Sequence, residues 1–70
     1  MEEKREILKI YDVHYKISYF KYYTNERFGG FARTKKREQA KVFTDENEKK
    51  EVFSNLIHYN QANNYVWEKV

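Results

Sequence analysis

The chain has no cysteine and no proline, and only two of its 70 residues are glycine. Without thiols there is no disulfide framework of the kind that staples small secreted domains and no thiolate chemistry, which favours an intracellular setting. Without proline, and with its glycines confined to the pair Gly29-Gly30, the chain offers no linker, repeat or low-complexity segment. It reads as a single domain over residues 1–70. The glycine pair is not followed by Gly-Lys-Ser or by a third glycine at a helix start, so it is a turn rather than a phosphate loop or dinucleotide turn. No apolar run approaches the length of a signal-peptide core or a membrane span. The expectation is a soluble cytoplasmic protein without membrane contact.

Aromatic residues are abundant instead: seven Tyr, five Phe and one Trp. A chain this short lies near the lower limit for burying enough apolar surface to fold unaided. With 40% apolar residues, it has room for one sheet on one helix but not for an interior cleft of enzyme size. Each large ring buries roughly 150 to 250 Å² and replaces several aliphatic residues, so the tyrosines have a structural use before any functional one.

Alternation places Tyr11, Val13, Tyr15, Ile17 and Tyr19 on one face of a strand from about Lys9 to Tyr23, with Asp12, His14, Lys16 and Ser18 on the other. The odd positions are expected inside. The adjacent aromatics Tyr19-Phe20 and Tyr22-Tyr23 cannot all point inward, which predicts a bulge or an exposed ring there. Residues 1–8 are expected to be frayed, with at most a helical turn. Asn25 and Gly29-Gly30 predict a chain reversal within residues 24–30. Residues 31–43 read as the return strand, with Arg33, Lys35, Arg37, Gln39 and Lys41 on the face away from the helix and a break near Lys36 to Gln39.

Thr44-Asp45 followed by Glu46 and Glu48 predicts a helix start, since a short oxygen-bearing side chain caps free amides and acids favour the positive helix end. The Asp45-to-Glu48 spacing allows a reciprocal capping box. Val52, Phe53, Leu56, Ile57 and Asn60 then draw a narrow stripe on a helix of about fifteen residues. Asn60, Asn63 and Asn64 end it by accepting a left-handed conformation, and residues 65–70 form a closing strand. The predicted fold is α+β: a small antiparallel three-stranded sheet with one helix packed on a face, in ββαβ order.

No constellation for catalysis stands out. Asp12 and His14 have metal-ligand spacing but no third partner. Ser54, His58 and Glu51 share a helix face without an oxyanion hole or a water-excluding pocket. Asp45, Glu46, Glu48 and Glu51 lack the pattern of a calcium loop and are explained by the helix dipole. The expectation is no catalytic residue, no metal and no cofactor.

The charge is unevenly spread: residues 1–8 sum to −1, residues 9–41 to +6 and residues 42–70 to −2, for a net +3. The basic segment holds Arg33, Lys35, Lys36, Arg37 and Lys41 between Phe28, Phe31 and Phe43. Bases attract phosphate and exposed rings stack on unpaired bases. Arg27-Phe28-Gly29-Gly30-Phe31-Ala32, however, copies only a fragment of the RNA-recognition signature. With the odd positions inside, Phe20 and Tyr22 point outward, and Tyr, Phe and Arg carry most binding energy at protein interfaces. Phe20, Tyr22, Arg33, Lys35, Lys36, Arg37 and Lys41 are therefore the candidate partner-binding residues. A protein partner is favoured; single-stranded nucleic acid and a homodimer through an exposed sheet edge are the alternatives.

The segment Gln39-Ala40-Lys41-Val42-Phe43-Thr44-Asp45-Glu46, the charged helix ending near Ile57, and Asn64-Tyr65-Val66-Trp67-Glu68-Lys69-Val70 resemble small accessory proteins of phages and mobile elements of low-GC bacteria. The Lys-, Asn- and Tyr-rich composition fits. The resemblance covers about half the chain and implies a role class without site residues: binding and blocking one host protein or ribonucleoprotein, as anti-CRISPR and other anti-defence inhibitors do, or acting on host transcription or replication. Several such inhibitors are acidic nucleic-acid mimics, and the basic middle of this chain departs from that pattern.

Overall fold

The computed structural model describes residues 4–25, 27 and 30–70. It contains β1 (Glu6–Tyr11), β2 (Ile17–Asn25), β3 (Gly30–Thr34), a short 3₁₀ turn (Arg37–Gln39), α1 (Glu46–Tyr59) and β4 (Asn64–Lys69). The fold is α+β, but the sheet has four antiparallel strands in the order β3-β2-β1-β4, not three, and three strands precede the helix. The long first strand expected from the alternation is two strands. The segment expected to fray supplies β1, one of the two inner strands.

A tight turn at residues 12–16 divides β1 from β2. The Asp12 carboxylate accepts hydrogen bonds from the amides of His14 at 2.8 Å and Lys16 at 2.9 Å. The Asp12 amide donates to the Lys16 carbonyl at 3.1 Å, and the Tyr15 amide to the Asp12 carbonyl at 2.9 Å. Asp is suited to this role because its short side chain reaches the backbone two residues on. Tyr15 takes φ 60°, the only non-glycine residue with positive φ among those described. Val13 and Tyr15, expected inside, are therefore exposed turn residues.

Moving the turn inverts the parity. Leu8 and Ile10 of β1, Phe20 of β2 and Tyr65 of β4 are buried with Phe43 and with Val52 and Leu56 of α1. Phe20, expected outside, is only 1% exposed. Its ring lies 5.2 Å from Tyr23 and 5.7 Å from both Phe31 and Phe43, and Phe43 meets Trp67 at 5.2 Å. The bulge expected around Tyr19 to Tyr23 is present as register shifts between Phe20 and Tyr22 and between Tyr23 and Asn25. Antiparallel pairing of Asn25 with Gly30 reverses the chain as expected; Phe28 and Gly29 of that reversal, like residues 1–3, lie outside the described residues.

The return strand ends at Thr34 instead of continuing to Phe43, and the expected break is the 3₁₀ turn at Arg37–Gln39. From there the chain crosses to the other side of the sheet. Lys41 donates its amide to the Phe20 carbonyl at 3.0 Å, and Phe43 and Glu6 exchange backbone bonds of 2.8 and 3.1 Å. Arg37 reaches β4, donating from Nε to Glu68 at 3.0 Å and from Nη2 to the Lys69 carbonyl at 2.7 Å. Glu68 is the cross-strand partner of Ile7. Ile7 and Ala40 are buried although both stand outside the main cluster, and the Arg37 tie to Glu68 brings the 3₁₀ segment to the part of the sheet that holds Ile7.

The helix starts where the sequence places it. Asp45 accepts the Asn47 amide at 2.9 Å. Glu48 does not close a capping box; it pairs with Lys41 at 3.2 Å. The buried stripe is Lys49, Val52 and Leu56, with Phe53 beside it, while Ile57 is exposed. Lys49 is buried by ion pairing with Glu6 and, at 3.2 Å, with Glu46, and its Nζ lies 5.5 Å from the Trp67 ring. The hydrogen bond it donates to Glu6 is the main reason its pKa is raised above the lysine value of 10.5. At the other end Asn60 donates its amide to the Leu56 carbonyl at 2.8 Å with φ −132°, so the helix closes without the expected left-handed asparagine. The Tyr65 hydroxyl holds that end, donating to the Asn60 carbonyl at 3.1 Å, and burial raises its pKa.

Candidate functional site

Cross-strand neighbours in an antiparallel sheet share a face, so the register shows what lies on the side without the helix. Lys9 stands opposite Tyr19 on one flank and Val66 on the other; Tyr11 stands opposite Ile17 and Asn64; Tyr19 stands opposite Thr34. These residues alternate with Leu8, Ile10, Phe20 and Tyr65, which the helix covers. The helix-free face therefore carries Tyr11, Ile17, Tyr19 and Val66 around a central Lys9. Ile17 is 44% and Val66 48% exposed, and Tyr11 and Tyr19 are half-buried among their neighbours.

The charged groups on this face pair with one another. Lys9 lies 3.8 Å from Glu68 and 5.3 Å from the centre of the Tyr11 ring. Its ammonium is held above the ordinary lysine value, first by its hydrogen bond with Tyr11 and then by the charges of its neighbours. Arg37 takes the second oxygen of Glu68. A Lys9–Glu68–Arg37 chain thus runs from the middle of the face toward its β4 side, and the residues flanking Lys9 are aromatic and aliphatic.

A second concavity, about 360 Å³, lies between β2 and α1 and is lined by Phe20, Tyr22, Tyr23, Lys41, Glu48, Glu51 and Val52. The slip after Phe20 puts Tyr23, opposite Phe31, on the side of Phe20, while Tyr22, opposite Ala32, lines the cleft from its edge. Tyr22 is 53% exposed and forms part of the lip.

The seven candidate residues do not form one outer face. Phe20, Tyr22 and Lys41 converge on the cleft, Phe20 as its sealed floor and therefore not as a partner contact. Arg33 stands opposite Phe20 in the register, on the helix side rather than away from it, with its guanidinium 5.6 Å from the Phe31 ring. Arg37 is tied to β4, and Lys41 to Glu48. Lys35 and Lys36 are exposed, with no ion pair among the described residues. Tyr11, Ile17, Tyr19 and Val66 were missed as surface residues; three of them carry the alternation that suggested burial.

The Asp12 carboxylate is occupied by backbone amides, chiefly that of Lys16, which lower its pKa. No group of three or more His, Cys, Asp or Glu side chains able to hold a metal is found among the described residues. Ser54, Asn55, His58 and Glu51 line a shallow open depression on α1, which adjoins the cleft at Glu51. No helix of the described residues is long and apolar enough to cross a membrane. No protein-family model, curated protein or solved structure matches the chain.

Proposed function

We propose that this chain is a non-enzymatic, phage-type accessory protein that binds a host protein, or the protein part of a ribonucleoprotein, in the bacterial cytoplasm and inhibits or modulates it. The observation that carries this reading is the helix-free face, where Tyr11, Ile17, Tyr19 and Val66 adjoin across three strands. Single exposed apolar residues are ordinary. A contiguous patch of aromatic and aliphatic residues bordered by charge is the usual form of a protein-binding surface, and here such residues surround one lysine already paired with Glu68.

A protein partner accounts for the face better than phosphate does. Lys9, Arg37 and Lys41 are already paired with carboxylates, so their contribution to a phosphate-binding track would require breaking internal contacts. The inhibitory role rests on the resemblance to phage accessory proteins. Binding through this face should weaken little with salt, whereas phosphate binding falls steeply with its logarithm.

The test is a tagged pull-down from a low-GC bacterial lysate, with and without nuclease, using the wild-type chain and the double variant Ile17→Glu/Val66→Glu. One stoichiometric protein that survives nuclease and is lost from the variant is the expected result. Recovery abolished by nuclease would replace the reading with nucleic-acid binding. Self-association of the purified chain, lost in the same variant and without another ligand, would replace it with a homodimer.

A further inference from the structure

We propose that the cleft between β2 and α1 receives the guanidinium of an arginine side chain presented by the protein partner, an inference that rests on reading the chain as a protein binder. Its volume of about 360 Å³ lies at the small end of the roughly 300 to 1,000 Å³ of ligand pockets, which suits one side-chain head better than a large cofactor.

The lining selects charge and shape. Phe20 seals the floor, the Tyr23 ring meets it edge-on at 5.2 Å, and Tyr22 lines the lip, so a flat cation meets aromatic surface. The charged lining residues are two carboxylates, Glu48 and Glu51, and a single ammonium, that of Lys41. In a chain of net charge +3, the cleft is locally negative. Lys41 satisfies Glu48 at 3.2 Å, while Glu51 has no ion pair among the described residues. Glu51 lines the cleft together with Tyr22 and Tyr23.

Lys41 already shows the chemistry in miniature, with its Nζ against Glu48 and 5.4 Å from the Phe43 ring. Its backbone is held by the hydrogen bond from its amide to the Phe20 carbonyl, and it lines the cleft without filling it. A guanidinium suits what remains better than a second ammonium, because its planar fork stacks on a ring while donating two parallel bonds to one carboxylate. Neutral side chains forgo the Glu51 charge, and anions are repelled by it.

The experiment is a backbone-amide NMR titration of the whole chain with N-acetyl-arginine amide and, separately, its uncharged isostere N-acetyl-citrulline amide. The expected result is saturable shifts centred on Tyr23, Lys41 and Val52 with the arginine probe, with affinity on the order of millimolar for a lone side chain. Citrulline should give none. Glu51→Gln, at an exposed helix position, should weaken the arginine probe about fivefold by removing the charge-assisted bonds. Equal shifts with citrulline, shifts spread without saturation, or an unchanged Glu51→Gln titration would overturn the inference. Failure here with partner capture intact would remove the arginine cleft alone; a positive titration with capture lost to nuclease would retain a cation cleft and remove its protein partner.

Discussion

Lys9 and Ile10 are consecutive in β1, yet Ile10 is sealed beneath α1 while Lys9 lies on the opposite side between Tyr19 and Val66. The same division runs through the rings. Phe20, Phe31, Phe43, Phe53 and Trp67 all pack on the helix side, as do Tyr23 and Tyr65. Of these two tyrosines, Tyr65 donates its hydroxyl to a backbone carbonyl and Tyr23 accepts from the Asn55 amide at 3.5 Å. Tyr11 and Tyr19 keep to the face without a helix. The Phe rings, which have no polar tip, belong where water is excluded, and Tyr tolerates a half-wet position because its hydroxyl stays solvated. An aromatic-rich chain of this size can thus furnish both a dense core and a binding face from alternate residues of one sheet.

The division breaks most severely at Phe20. Phe20→Ala should cost about 4 kcal/mol, the scale for deleting a fully buried ring, read as a lowered urea midpoint. A neutral result would return Phe20 to the surface. Lys49→Ala comes next, at about 3 kcal/mol, because it strands Glu6 without its partner in a mostly buried position. The pH dependence has a definite sign. The Lys49 pKa is raised in the folded state, so its stabilisation is complete below the unfolded value of 10.5 and is lost as pH rises through the folded value above it. Alkaline denaturation should therefore be blunted in the variant.

Smaller effects sharpen the same contrast from the wet side. The Asp12 pKa is lowered, so the turn is fully supported above the ordinary value of 3.8 and loosens as pH falls through the folded value below it. Amide exchange at His14 and Lys16 should accelerate in that acid range before the core opens. Least of all, Lys35→Glu/Lys36→Glu should change stability by under about 0.5 kcal/mol, as expected of exposed positions. Partner recovery should persist, and its loss would move the interface to the basic segment.

The helix and closing strand were legible because their signals are local: Asp45 caps, Val52 and Leu56 repeat at helical spacing, and Tyr65 and Trp67 alternate. The break after Thr34 was legible from Lys36 and Glu38, which interrupt the parity. The turn at residues 12–16 was not. It contains no glycine, proline or asparagine, and its Val13 and Tyr15 continue the strand alternation of Tyr11, Ile17 and Tyr19. Asp12 was the available clue, since its side chain makes the turn. That error displaced Phe20 to the outside and the Tyr11–Ile17 face to the inside. Ile7 and Leu8 misled in a different way: adjacent apolar residues of one strand are both buried, and the segment carrying Arg37 returns to Glu68 beside Ile7, a long-range crossing with no local signature.

The most direct test of the central claim is to measure unfolding free energy and partner recovery together on Ile17→Glu/Val66→Glu, with His58→Glu on the outer side of α1 as the control. The account predicts that the double variant keeps wild-type stability to within about 1 kcal/mol, as surface substitutions do, and loses the nuclease-resistant partner, while the control loses neither. Full recovery of the partner by the folded double variant would contradict it.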